Sequence, residues 1–386
     1  MNVFIIVFIP LIMFCSSFSF AQQQNLYLVS DPETKYNTSN AINILLNFNF
    51  KAADSSFNLI KKNNPEHPLG YFLIGYKYYW KLQINEDNKI YDDSLINYLD
   101  STIYFAEKKY KNNKDDFEAI FFFSLAYGIK GRLLSDREKW AASVFAGRNA
   151  LVYLDKGRVK NELSDEFLFG DALFNYYAEW IPENYKAFKP VMWFFPKGSK
   201  QKGLDLLKIA SNVAYYTRIE AQYFRLRILL YEEKDYSEAI PLAKYMIETY
   251  PNNPIFQRLY MRLMFSTGNY PACEKKAYEI LENIKNNKLG YEEVSGRFAA
   301  FFIGWINMNR NKAISKEYFQ KSVEYCEKVG ALKMNYYFYA LSALAKYANE
   351  AGDKKMALDY YDKIKSNADR KHEMYKEAKK FIREND

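Results

Sequence analysis

The feature that most constrains this chain is an internal repeat with a period of 34 residues. Segment 235–239 (Asp-Tyr-Ser-Glu-Ala) aligns with segment 269–273 (Asn-Tyr-Pro-Ala-Cys) at that spacing. Segments 50–68 and 236–254 also share one internal spacing, from an aromatic residue to an alanine and then to two prolines. A period of this length is typical of helical hairpins that stack into a solenoid, in which each hairpin buries its apolar face against its neighbours.

The residues at the repeated positions resemble the tetratricopeptide repeat (TPR). Tyr71, Ile74, Gly75 and Tyr78 fit the aromatic-x2-Leu-Gly-x2-Tyr pattern of its first helix. Small residues recur on both predicted helices, which lets two backbones approach closely. They are Gly75, Gly304 and Ala345 on first helices, and Ala53, Ala239, Cys273 and Ala357 on second helices.

Composition agrees with an all-α chain. The sequence is 49% apolar and 18% aromatic, with only 15 Gly and 11 Pro, so it is too hydrophobic for disorder and too poor in turn formers for a many-stranded β fold.

The resemblance implies an α-α superhelix, a TPR-like solenoid of about eight helical hairpins with a C-terminal capping helix. The predicted pairs are 34–67, 68–112, 114–157, 164–214, 220–253, 254–288, 291–330 and 335–370, followed by a capping helix at 371–384.

A narrower resemblance covers residues 164–290. Its motifs lie in segments 170–177, 195–198 and 203–210, and they resemble an exported bacterial subgroup of TPR proteins with unassigned function. They are similar, more distantly, to the eukaryotic inclusion-body-clearance type of TPR protein. This resemblance implies no catalytic residue.

The N-terminus has the pattern of a targeting segment. An apolar run from Val3 to Phe14 precedes Ser19-Phe20-Ala21, a small-x-small cleavage pattern. We therefore expect a signal peptide at 1–21, a linker at 22–33, a repeat domain at 34–386 that is most regular at 220–288, and a periplasmic or secreted protein. An uncleaved anchor is the alternative, because no Lys or Arg precedes the run. Cys15 suggests lipid attachment, although bulky Phe14 is unfavourable for it.

Two cysteines, Cys273 and Cys326, remain after a leader of this length. We expect two buried small side chains, with one disulfide as the alternative. The formal charge of +8 is spread over helix faces among Glu and Asp, without a block of like charges. No nucleic-acid partner is expected.

The concave surface of such a superhelix, lined by first helices, is its default binding site. We expect aromatic residues near its N-terminal end, mixed residues in the middle and arginines towards its C-terminal end. These are Phe72, Tyr76, Tyr79 and Trp80, then Asn175, Phe224 and Tyr231, then Arg258 and Arg262. Tyr, Trp and Arg anchor binding sites effectively. Alternatively, many of these rings belong to the core between repeats.

Residues for catalysis are scarce. The chain has two histidines, His67 and His372, and neither has metal-ligand spacing to a partner. The acidic doublets 92–93, 115–116 and 292–293 fall where helices should begin, where carboxylates satisfy free amides. We expect no enzyme, no catalytic residue, no metal site and no cofactor.

Segment 181–202 is the most unusual stretch, because it combines aromatic residues with lysines. We expect it to fold back over its hairpin and hide its rings, since an exposed patch favours aggregation. The alternative is a membrane-contact loop through Trp193, Phe194 and Phe195.

These features favour a non-enzymatic scaffold of the cell envelope that binds a peptide or protein segment in its concave groove. The alternative is a small-molecule or glycan-binding protein that uses the aromatic part of the groove.

Overall fold

The structure, a computed structural model, describes residues 27–161 and 163–385. The predicted leader at 1–21 lies outside these ranges. The described residues are helical, without strands. In chain order the α-helices are α1 (Pro32–Leu46), α2 (Phe50–Asn63), α3 (Pro68–Leu82), α4 (Asp92–Asn112), α5 (Phe117–Asp136), α6 (Trp140–Gly157), α7 (Ser164–Asn184), α8 (Lys189–Met192), α9 (Lys200–Val213), α10 (Arg218–Tyr231), α11 (Tyr236–Thr249), α12 (Pro254–Ser266), α13 (Tyr270–Lys285), α14 (Glu293–Asn307), α15 (Lys312–Lys328), α16 (Asn335–Glu350), α17 (Lys354–Asn367) and α18 (Glu373–Asn385).

The described helices form eight hairpins and a final helix. The hairpins are α1/α2, α3/α4, α5/α6, α7/α9, α10/α11, α12/α13, α14/α15 and α16/α17, and α18 packs on the last of them. The TPR-like all-α superhelix is therefore confirmed. Helix α1 begins at Pro32, two residues before the predicted repeat domain, and Val29 in the predicted linker is buried.

The repeated sequence positions work as helix starts. Five of the eight described second helices begin after an Asn or Asp whose side chain accepts a hydrogen bond from a backbone amide in the first turn, which satisfies a free N–H. These caps are Asn49, Asp235, Asn269, Asn311 and Asp353. All three acidic doublets lie at helix starts, as predicted, and Asp116 accepts from the Ala119 amide at 2.8 Å.

First helices form the inner layer of the superhelix. Each first helix contacts the first helix of the next hairpin, as in α10 with α12, α12 with α14 and α14 with α16. Each second helix packs mainly on the first helices beside it. The first helices therefore lie closest together and line the concave side.

The superhelix closes on itself, because the first hairpin reaches the fifth and sixth hairpins. The Tyr250 hydroxyl donates to Asn43 Oδ1 at 3.0 Å, and Asn253 Nδ2 donates to the Leu46 carbonyl at 2.9 Å. These partners are 207 residues apart in the chain. The described part of the chain thus encloses an interior instead of leaving an open trough along its whole length.

The connection between α7 and α9 corrects one expectation. Trp193 is 87% exposed and Phe194 is 64% exposed, so the expectation that this segment hides its rings is wrong for these two. Phe195 is half-buried. The segment is held at its C-terminal end, where the Lys200 amide donates to Glu179 at 2.6 Å, while its tip projects outward.

Cys273 and Cys326 are buried free thiols, which confirms that they act as small apolar side chains. Burial raises the pKa of each thiol to about 12. None of the helices in the described ranges is both long and apolar enough to cross a membrane.

The close approach of α9 to α7 depends on Gly203. A Cβ at Gly203 would lie 2.6 Å from the Tyr176 amide nitrogen and 2.8 Å from the Ala172 carbonyl oxygen. We predict that Gly203→Ala lowers the free energy of unfolding by roughly 2 kcal/mol, because the backbones must separate. Gly128→Ala on α5, where a Cβ meets nothing within 4 Å, is the matched control and should stabilise by up to about 1 kcal/mol. Urea unfolding followed by circular dichroism measures both, and equal effects would contradict this packing.

Candidate functional site

The interior is filled at one end by helix α3. Trp80 is fully buried, and its ring lies 5.5 Å from that of Tyr223 on α10 and 5.7 Å from that of Phe256 on α12. The Tyr76 hydroxyl donates to Glu220 Oε1 at 2.6 Å. Helix α3 therefore packs across the interior against the fifth and sixth hairpins.

This packing corrects the expected aromatic end of the groove. Tyr76 and Trp80 contact α10 and α12 across the interior, and Tyr79 is buried with its hydroxyl accepting from Arg132 on α5 at 2.6 Å. These three side chains do not present an open surface. Phe72 is partly buried and packs on Tyr76 and Phe122. The physical reason is the tight curl of the superhelix, which brings these rings against apolar partners where burial is favourable.

The central candidates also have internal partners. Asn175 is buried, and its Nδ2 donates to the Asp171 carbonyl of its own helix at 2.9 Å. Phe224 is partly buried, 5.1 Å from the guanidinium of Arg132. Tyr231, at the C-terminal end of α10, is the most accessible of these three residues, with 36% of its surface exposed.

A loop of the chain occupies the interior beside α3. We call residues 83–91, between α3 and α4, the inner loop. Arg258 donates to the carbonyls of Ile84 at 3.1 Å and Gln83 at 3.0 Å, so this predicted ligand-binding arginine fastens the inner loop. Glu86 of the loop accepts from Arg132 at 3.3 Å and from Arg227 at 3.5 Å. The chain thus places one of its own carboxylates on the arginines of its concave side.

Three arginines lie on three consecutive first helices. Arg227, Arg262 and Arg297 lie on α10, α12 and α14, and each follows the previous one by 35 residues. We call this set the arginine ladder. Phe298 lies between two of its members, at 5.8 Å from the guanidinium of Arg262 and 5.1 Å from that of Arg297. Tyr231 adds a ring at 4.7 Å from Arg262.

The members of the arginine ladder differ in how their charge is compensated. Arg227 forms an ion pair with Glu86. The guanidinium groups of Arg262 and Arg297 form no hydrogen bond or ion pair with any residue in the described ranges. Arg297 is only 8% exposed, and its Nε is buried without an acceptor. An unpaired buried cation is costly, so this end of the ladder is suited to an anionic group.

A buried hydroxyl lies beside Arg297. The guanidinium is 5.8 Å from the centre of the Tyr336 ring, and the Tyr336 hydroxyl also lacks a partner among the described residues. Burial holds the pKa of Tyr336 well above its ordinary value, so the hydroxyl remains protonated and can donate. Guanidinium and hydroxyl together offer donors for one carboxylate.

Sequence reasoning identified Arg262 but missed its two counterparts. Arg227 and Arg297 lie 35 residues before and 35 residues after Arg262, so the regular spacing of the three arginines was visible in the sequence. The interaction of Glu86 with this position, through a loop from a distant hairpin, had no signal in the sequence.

The two histidines cap helices. Nδ1 of His67 accepts from the Leu69 amide at 3.2 Å, and its Nε2 lies 3.0 Å from buried Glu118. Nδ1 of His372 accepts from the Met374 amide at 3.1 Å. Within residues 27–161 and 163–385, no group of three or more His, Cys, Asp or Glu side chains is placed to hold a metal ion.

A separate cleft of about 450 Å³ is lined by α2, α3, the inner loop and residues 289 and 292. Lys77 pairs there with Asp54. The ammonium of Lys81 lies over the rings of Phe50 at 5.4 Å and Tyr91 at 5.0 Å, and burial lowers its pKa.

Comparison with known proteins finds similarity to solved structures at low sequence identity. No family model and no curated protein matches the sequence. Among solved structures, the chain is similar to the human IFIT1 dimer with PPP-AAAA, at 14% identity and a TM-score of 0.45, over 82% of this chain and 68% of that one. A monomeric IFIT1 mutant with Gppp-AAAA matches at 16% identity and 0.44, over 82% and 67%. The TPR domain of P58(IPK) matches at 12% identity and 0.25, over 91% and 98%. The stacked hairpins of the described residues make the chain a TPR-like helical repeat protein.

Burial of Glu220 gives the interior a pH dependence. Burial raises the pKa of Glu220 to about 7, against an ordinary 4.5. The folded state therefore binds a proton more tightly than the unfolded state, and this group makes stability fall as pH rises from about 4.5 to about 7. We predict that Glu220→Gln, which keeps an acceptor for Tyr76, gains roughly 2–3 kcal/mol over the wild type between pH 5 and pH 8. Urea unfolding at both pH values measures this, with Glu248→Gln at an exposed position as control. A gain that does not change with pH would contradict a raised pKa.

Proposed function

We propose that this chain is a non-enzymatic interaction scaffold that binds an extended acidic protein segment along its inner layer. The observation that carries the proposal is the inner loop, whose Glu86 carboxylate lies on Arg132 and Arg227 while its carbonyls accept from Arg258. A partner segment would extend the same interaction to Arg262 and Arg297.

The chemistry of this end of the ladder suits carboxylates followed by apolar side chains. A guanidinium binds a carboxylate through two parallel hydrogen bonds, which fixes direction as well as charge. Tyr231 and Phe298 flank Arg262 and supply ring surface for the residues between two carboxylates. Anchoring by Arg and Tyr is characteristic of the residues that dominate interface energies.

A protein segment fits better than a nucleic acid. Acidic side chains are interspersed among the arginines: Glu86 interacts with Arg227, Glu232 is electrostatically coupled to Arg227, and Glu292 is coupled to Arg258. A polyphosphate backbone would meet these carboxylates at every few residues, whereas a protein segment can place a neutral side chain beside each of them.

The partner belongs to the cell envelope in this proposal. That part rests on the sequence pattern at 1–21, which is typical of a signal peptide and directs a chain out of the cytoplasm. A membrane-anchored N-terminus would leave the repeat domain in the same compartment.

A small anionic molecule is the second candidate ligand, and the cleft beside Lys81 favours it. Its volume of about 450 Å³ is in the range of small-molecule sites, and it offers a cation between two rings. A glycan stacked on the aromatic end of the groove is less favoured, because Trp80 and Tyr76 are buried.

Replacement of Arg262 tests the proposed groove. The protein is cross-linked in its own cells and captured, the bound segment is mapped by mass spectrometry, and a synthetic peptide of that segment is titrated. We predict that Arg262→Gln weakens peptide binding by roughly tenfold with an unchanged melting temperature, because Arg262 has no ion pair to lose inside the protein.

Arg310→Gln is the matched control, because Arg310 is exposed and pairs with Glu274 away from the ladder. It should leave the affinity unchanged. Equal binding by the Arg262→Gln variant, a mapped segment without Asp or Glu, or displacement of the peptide by a single-stranded RNA of equal charge would each contradict the proposal.

A further inference from the structure

An exposed aromatic face lies outside the groove, where α6 meets the α7–α9 connection. Its exposed rings are Trp140, Phe145, Tyr185, Trp193 and Phe194. The ring of Trp140 lies 5.2 Å from that of Phe188, and Phe195 lies over Gly147. Helix α6 and the connection therefore form one continuous surface, which we call the aromatic face.

The connection is anchored at both ends, so its tip is presented in a defined place. Gly198 packs so closely on α7 that a Cβ would lie 2.3 Å from the Asn175 carbonyl oxygen. At the other end, the ring of Tyr185 lies 5.7 Å from that of Trp180 on α7. Trp193 and Phe194 project between these anchors.

The charge around the aromatic face is mainly positive. No Asp or Glu occurs between residues 184 and 204. Of the five lysines in that stretch, only Lys200 has an ion pair among the described residues, with Glu183. The other four are Lys186, Lys189, Lys197 and Lys202. Lys139, just before α6, and Arg148 on α6 are also exposed and form no ion pair within the described part of the chain, and Glu138 is an exposed acid beside Lys139.

We propose that the aromatic face docks onto an anionic membrane surface, with Trp193 and Phe194 in the headgroup region and the unpaired lysines on lipid phosphates. Trp and Phe prefer the boundary between water and acyl chains, and lysines beside them gain from a negatively charged surface. Exposed rings that large are unfavourable in water and need a covering surface.

The charge pattern selects this occupant over a second copy of the chain. A symmetric dimer through the aromatic face would place the four unpaired lysines opposite one another, and the nearby Glu183 is already paired with Lys200. An anionic bilayer supplies many negative groups and accommodates rings of any shape. The inference is independent of the acidic-segment proposal, because the two surfaces share no residue.

Vesicle binding tests the inference. The full chain is sedimented with vesicles of phosphatidylcholine alone and of phosphatidylcholine mixed with phosphatidylglycerol. We expect binding to the anionic vesicles that weakens as salt is raised.

Trp193→Ser/Phe194→Ser should lower the partition coefficient at least about tenfold, with unchanged melting temperature. Tyr36→Ser/Leu59→Ser, at exposed positions of the first hairpin, should bind like the wild type. All variants share one N-terminus, so any contribution of residues 1–21 is the same in each.

Two further variants separate ring insertion from charge. Lys186→Gln/Lys189→Gln/Lys197→Gln keeps the rings and should lose the preference for anionic vesicles. Trp193→Phe should keep binding but lose most of the quenching of tryptophan fluorescence by brominated lipid. Failure of the wild type to bind anionic vesicles, equal binding by the serine variant, or a dimer in size-exclusion chromatography that the serine variant converts to monomer would each overturn the proposal.

Discussion

The contact of α3 with α10 and α12 across the interior is the constraint on which the rest of the structure depends. It is centred on Trp80, which is fully buried against Tyr223 and Phe256. Hairpins that stack side by side need only their neighbours, and a solenoid with that packing alone would leave its concave side open. Here the curl brings the first two hairpins onto the fifth and sixth. One end of the concave side becomes core, and the other end is left with the arginine ladder.

The closure also determines how charge is handled in the interior. Because the inner loop follows α3 directly, packing of α3 carries Glu86 to Arg132 and Arg227. The guanidinium groups of Arg262 and Arg297 contact aromatic rings but form no ion pair with a carboxylate among the described residues. The groove and the aromatic face thus have different chemistry: paired donors for carboxylates in the first, exposed rings among lysines in the second. A scaffold held at a membrane by one surface would keep the other free for a partner.

The sequence predicted the architecture well because a repeat reports on local packing. The repeat period predicted the eight hairpins and the final helix. The caps at Asn49 and Asp235 mark helix starts, and the burial of Cys273 follows from its repeat position. The closed interior was not predictable in the same way. It results from small rotations between successive hairpins, which no local pattern encodes, so Trp80 was expected in an open groove. The exposure of Trp193 was also not predictable from a local pattern. The two ends of its segment pack on α7, whereas Trp193 between them does not.

The closure of the superhelix can be measured directly at the contact between the first hairpin and the turn before α12, by a double-mutant cycle. The cycle combines Asn43→Ala with Tyr250→Phe, whose side chains share a hydrogen bond of 3.0 Å across 207 residues. Stability to urea is measured for the wild type, both single variants and the double variant. A closed superhelix predicts a coupling free energy of about 1 kcal/mol. Additive effects, with a coupling below about 0.3 kcal/mol, would contradict the contact of the first hairpin with the turn before α12 and therefore the closure.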